Sequence, residues 1–156
     1  MLALSPFGFH LTGLQLRPGV VFEDNGLKVT AFKVNHGEIE EAYGYKFETG
    51  DKTIVISGDA APSESIVEQC NGCDMLFHEV YSMEKFQLKP PEWKTYHSSY
   101  HTSTIELAEI ATRARPKLLV LYHQIFWGAT EEEILKEIRG HYNGAVVSGK
   151  DLDVFE

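Results

Sequence analysis

The chain is poor in cysteine, has no long apolar run and carries no excess of positive charge, and each absence removes a class of protein. Two cysteines, Cys70 and Cys73, are too few for a disulfide-built scaffold. No apolar run approaches the ~20 residues that span a bilayer, which argues against a membrane protein. The opening MLALSPFGFHLTG lacks the basic n-region and long apolar core of a signal peptide. An irregular start and a cytoplasmic location are therefore expected. Lys and Arg number 14 against 23 Asp and Glu, a net charge of -9. That balance disfavours a nucleic-acid binder, because phosphate contacts need clustered cations. Dense clusters of His and Asp, such as HxHxDH, do not occur.

What is present suits one domain over residues 1–156, since a chain of this size buries roughly two-thirds of its unfolded surface. PGVVFEDNGLKVTAFKV predicts two strands about a turn at Asp24-Asn25-Gly26. AYGYKFETGDKTIVIS predicts two more about Gly50-Asp51, and the continuously apolar TIVIS reads as a central strand. Pro62 and Ser63 open a short helix that ends near Cys70. DMLFHEVY and KLLVLYH are buried strands. TSTIELAEIATRA is an amphipathic helix capped by Thr102 or Ser103, and TEEEILKEIRGHY is a helix whose acidic start and basic end suit the macrodipole. Residues 82–100 lose periodicity around Pro90-Pro91 and predict an ordered loop or lid. AVVSG and DLDVFE read as a closing strand pair. The order, strands first and alternating units later, predicts an α+β or α/β fold with a mixed sheet and helices on one face. The other face is left for something else to cover.

Three residues stand where apolar runs end: His36 after LKVTAFKVN, Asp59 after KTIVISG and His123 after PKLLVLY. Strand ends converging on one sheet edge are where such folds place their chemistry. Two imidazoles and a carboxylate suit zinc, iron or manganese. Taken singly, each has an ordinary reading. His36 is a polar strand end beside Gly37, Asp59 a cap for the Pro62 helix, and His123 a buried imidazole bonded to backbone. Glu79 closes DMLFHE and His101 opens a helix; a carboxylate beside an imidazole fixes its tautomer and makes a general acid. His97 is an alternative to His101. His10, His78 and His141 read as ordinary. The CNGC pair, at a turn between helix and strand, reads as structural or incidental more readily than as a redox pair or metal knuckle.

The series VNHGEIEEAYGYKFE, VISGDAAPSE, MLFHEVY, HTSTIELAEIA and LLVLYHQ resembles the C-terminal half of the metallo-β-lactamase superfamily, on the branch of ribonuclease Z and the arylsulfatase-like hydrolases. The similarity runs from about Pro18 to about His123. It implies half of an αββα sandwich and a binuclear hydrolase of phosphodiester, sulfate or other small esters. By that resemblance His36 is a ligand of the first metal, Asp59 bridges both, and His123 is a ligand of the second, with zinc the expected ion and manganese or iron the alternatives. Glu79 and His101 resemble the pair that protonates the leaving group. Two departures stand out. Ala60 replaces the family's threonine, and the HxHxDH motif that supplies the remaining ligands is missing. The chain is thus expected to be about half of an enzyme, with two protein ligands per metal where a catalytic zinc usually has three. Weak metal binding and little activity of the chain alone follow, as does association with the missing half or a second copy through the uncovered sheet face. The acidic charge favours a small ester over tRNA. The alternative is a non-catalytic interaction module using that same face.

Overall fold

In the computed structural model, residues 16–155 are described. The expected irregular start over residues 1–13, with His10, lies outside them. Seven strands form one sheet in chain order: β1 (Gly19–Asp24), β2 (Leu27–Lys33), β3 (Tyr43–Glu48), β4 (Thr53–Ile56), β5 (Met75–Tyr81), β6 (Leu118–Ile125) and β7 (Val146–Ser148). The β1–β4 half is antiparallel and the β4–β7 half parallel. The β1–β2 turn uses Asn25 and Gly26, both at positive φ, 44° and 85°. Such a two-residue turn matches the twist of the flanking strands.

Each parallel step needs a crossover, and the helices supply them: α1 (Glu64–Cys70) from β4 to β5, α4 (Thr104–Ala114) from β5 to β6, and α5 (Glu131–Arg139) from β6 to β7. Right-handed crossovers that advance one strand at a time put their helices on the same face. Leu76, Leu119 and Leu121 of the sheet pack there against Ile66, Leu107, Ile134 and Ile138, all fully buried. Each such side chain contributes on the order of 2 kcal/mol through burial. Ser103 and Thr130 head α4 and α5 with reciprocal capping boxes to Glu106 and Glu133.

Two expectations change here. Residues 82–100 are not a loop but two helices, α2 (Met83–Gln87) and α3 (Pro91–Tyr100). Periodicity is silent because α3 buries none of its residues; Pro91 at its first position supplies the start instead. The closing strand pair is a single strand, β7. After Gly149 the chain turns, with the Lys150 N–H donating to Asp153 Oδ2 at 2.9 Å. Residues 150–155 then run over the second face of the sheet, where the Phe155 ring meets Phe77 edge-on at 5.8 Å. As expected, Pro62 and Ser63 open α1, with Ser63 rather than Asp59 at its head, so the aspartate is free for other work. The Ser63 hydroxyl accepts from the Asn35 N–H and donates to the Ala61 carbonyl.

Candidate functional site

The carboxyl ends of β2, β4, β5 and β6 converge as an α/β sheet dictates. Beyond β2, Asn35 bridges to Ala61, with the Ala61 N–H donating to the Asn35 carbonyl at 2.8 Å. That bridge sets the chain carrying His36 beside the loop carrying Asp59. The Asp59 loop turns at Gly58, whose φ is 72°; a Cβ there would lie 2.5 Å from the Tyr43 carbonyl oxygen. Only glycine meets both demands.

His36 is aimed by its backbone partner. Its Nδ1 donates to the Tyr100 carbonyl at 2.9 Å, which leaves Nε2 facing Asp59 Oδ2 at 3.7 Å. A second-nitrogen bond to a carbonyl is the usual way a metal-ligating imidazole is oriented. His123 is aimed by backbone distortion. Between His78↔Leu121 and Val80↔Gln124, β5 advances two residues and β6 three, so β6 carries one extra residue at Tyr122–His123. His123 there has φ 42°, an uncommon conformation for a residue with a Cβ. Bulges of this kind re-aim a side chain next to a site. The expected strand end at His123 is thus a bulge inside β6.

His101 lies at the junction of α3 and α4, buried, its Nδ1 2.8 Å from Asp59 Oδ1 and 3.5 Å from Glu79 Oε1. Glu79 is wholly buried; its Oε1 accepts the Thr102 N–H at 2.9 Å, and its Oε2 has no partner among the described residues. The Thr102 hydroxyl donates to the Ala60 carbonyl at 2.7 Å. So although residue 60 itself brings no hydroxyl, Thr102 reaches the Asp59 loop with one. One ligand atom each from Asp59, Glu79, His101 and His123 lies within 4.8 Å of the others. His36 joins this group through Asp59.

Electrostatics follow from the crowding. Burial works against charge on Asp59, but contact with His101 and the fields of His101, His36 and His123 outweigh it and hold the carboxyl below its usual range. Burial pushes the Glu79 carboxyl up, against the opposing pull of His101. Burial also disfavours a charged His101, yet Asp59 and Glu79 prevail and raise it to about 9. His78, fully buried behind the site, is driven down to about 4 by desolvation.

The donor set fits a divalent ion. An aspartate shared between imidazoles, an oriented Nε2, a buried carboxylate oxygen without a partner among the described residues and a re-aimed exposed histidine are the parts such a site needs. Among these, the Tyr100 carbonyl, the Thr102 contacts and the β6 bulge have no signature in the sequence. Cys70 and Cys73 are elsewhere. They form a buried disulfide at the end of α1, before the amino end of β5 and so at the opposite edge of the sheet.

Comparison with known proteins agrees with this geometry. Residues 4–124 match the family described as the beta-lactamase superfamily domain. Ribonuclease Z of Mycobacterium sp. (strain KMS) is 27% identical over 111 residues, covering 71% of this chain and 39% of that protein. Ribonuclease Z of Mycobacterium tuberculosis (strain H37Ra) is 25% identical over 136 residues, 86% of this chain and 50% of that protein. The metallo-beta-lactamase fold protein YhfI from Bacillus subtilis superposes with a TM-score of 0.77 at 21% identity, over 98% of this chain and 59% of its own. The short form of human tRNase Z superposes with a TM-score of 0.54 at 26% identity, over 67% of this chain and 38% of its own. The chain therefore spans about half or less of the length of these curated relatives. The shared domain, the mixed sheet and the strand-end cluster place this chain in the metallo-β-lactamase superfamily.

Proposed function

We propose that this chain carries part of the centre of a metal-dependent hydrolase that cleaves phosphodiester or other small esters. His36, Asp59 and His123 would hold divalent ions, zinc foremost, with Asp59 placed to serve more than one. The observation that carries this reading is the position of the Asp59 carboxylate, 3.7 Å from His36 Nε2 and within 4.8 Å of ligand atoms on His101, Glu79 and His123. When bound, such ions supply a Lewis acid for the ester oxygen and lower the pKa of water.

The chain's own residues do the rest. Glu79, buried and anchored by the Thr102 N–H, fixes the His101 ring and favours its protonated form. His101 then carries a proton beside the site and delivers it to the departing ester oxygen. The Tyr100 carbonyl keeps the His36 ring from rotating. A catalytic zinc usually has three protein ligands, so each ion would need a ligand beyond His36, Asp59 and His123. The substrate is a small ester rather than an RNA backbone, which the net charge of -9 on this chain disfavours.

The test is hydrolysis of a phosphodiester, a sulfate ester and a carboxylic ester by the intact protein, native and His101→Ala. Turnover of any of them that drops by about 10²-fold in the variant supports the reading. No turnover of any ester by the metal-loaded intact protein contradicts it. A second reading, a non-catalytic interaction module, is favoured by the exposed apolar side chains of Val20 and Phe22 on β1.

A further inference from the structure

We propose that the exposed rings of Trp93 and Tyr96 on α3 form a subsite that stacks a planar aromatic group carried by an anionic ester. The ester character of that ligand rests on the function proposed above; the stacking does not. Helix α3 buries none of its residues, yet it carries two of the largest aromatic side chains in the chain, Trp93 48% and Tyr96 54% exposed. These do not hold the core together. With Glu92 and His97 they line an open groove of about 390 Å³, room for one ring system.

The groove is joined to the candidate site by rings. Trp93 lies 5.2 Å from His97, and His97 stacks on His101 at 5.4 Å with 29° between planes. Tyr96 stacks on Tyr100 at 4.6 Å, and the Tyr100 carbonyl is the group that orients His36. A ring held on Trp93 and Tyr96 thus lies one histidine away from His101. Pre-placed faces of this kind stack flat ligands without regard to their edge chemistry.

Charge around the groove is mixed. Glu92 lines it, while the Lys89 ammonium sits 5.0 Å from the Trp127 ring centroid, and Trp127 meets His97 at 4.7 Å. Lys89, outside the groove's own lining, is the cation that suits the anionic end of the ligand.

The experiment is titration of the chain in EDTA, so that metal plays no part, with adenosine 5′-monophosphate, phenyl phosphate and ribose 5-phosphate. The indole N–H resonances of the two tryptophans report position and calorimetry reports affinity. Adenosine 5′-monophosphate is expected to shift Trp93 more than Trp127, while ribose 5-phosphate shifts neither. Trp93→Ala is expected to weaken binding about tenfold and Trp93→Phe to restore most of it. Phenyl phosphate binding alongside the nucleotide assigns the subsite to aryl groups in general, and its failure to bind assigns the subsite to nucleobases; both support stacking. Equal binding of ribose 5-phosphate, a Trp93 signal that does not move, or unchanged affinity in Trp93→Ala overturns the proposal. Failure of the hydrolase reading shows separately, as absent turnover by the intact protein with stacking intact.

Discussion

His101 Nδ1 lies 2.8 Å from Oδ1 of Asp59, closer than its 3.5 Å approach to Glu79. The imidazole is thus shared between an exposed carboxylate suited to metal and a buried one suited to fixing it. In the metal-free chain this pair behaves as an ion pair, with His101 raised to about 9 and Asp59 held low. A titration followed by imidazole resonances is expected to show His101 protonated at neutral pH, and Asp59→Asn is expected to move its midpoint back toward that of a free imidazole.

Stability of the metal-free chain should depend on pH from both sides. The folded His101 binds its proton more tightly than the unfolded residue, so its contribution is complete below pH 6.5 and is lost as pH rises through about 9. His78 acts in the opposite sense. Its folded form stays neutral down to about 4 while the unfolded imidazole charges below about 6.5, so stability falls as pH drops between those values. Thermal midpoints in EDTA across pH 4–9 are expected to peak between them.

The left-handed backbone at His123 stores strain at the bulge of β6. His123→Gly is expected to stabilise the chain by about 1 kcal/mol in denaturant unfolding, while lowering its zinc affinity. A site residue that costs stability is what a functional bulge predicts.

Gly58 is the reverse case. Gly58→Ala adds a Cβ against the Tyr43 carbonyl at positive φ, and a loss of about 2–3 kcal/mol is expected in the same unfolding experiment.

Glu137 joins three elements behind the site. Its carboxylate accepts from the Ser82 hydroxyl at 2.6 Å, the Met83 N–H at 2.8 Å and the Thr104 hydroxyl at 2.5 Å. Glu137→Ala is expected to cost about 2–3 kcal/mol by leaving these donors unpaired, measured by urea unfolding.

Much of the scaffold could be read from the residues. Alternation in YGYKFE and the unbroken apolar runs TIVI and KLLVLY report strands because one or both faces are covered, and Asn25-Gly26 reports the hairpin because few residues tolerate its turn. Helix α3 could not be read, because a helix with no buried face leaves no apolar period. His36, Asp59 and His123 were visible as polar residues ending apolar runs. Their aim was not. It depends on a backbone carbonyl at Tyr100, an extra residue in β6 and the Thr102 contacts to Glu79 and Ala60, all of them relations between segments distant in sequence. DLDVFE, residues 151–156, alternates as a strand does, whereas Asp153 within it closes a turn on the Lys150 N–H.

Zinc calorimetry on the native chain beside Asp59→Ala, with elemental analysis of both, bears most directly on the proposed centre. The account predicts zinc bound by the native chain, more weakly than at a three-ligand catalytic site, and lost in Asp59→Ala. Zinc bound with the same affinity and stoichiometry by both proteins would contradict it.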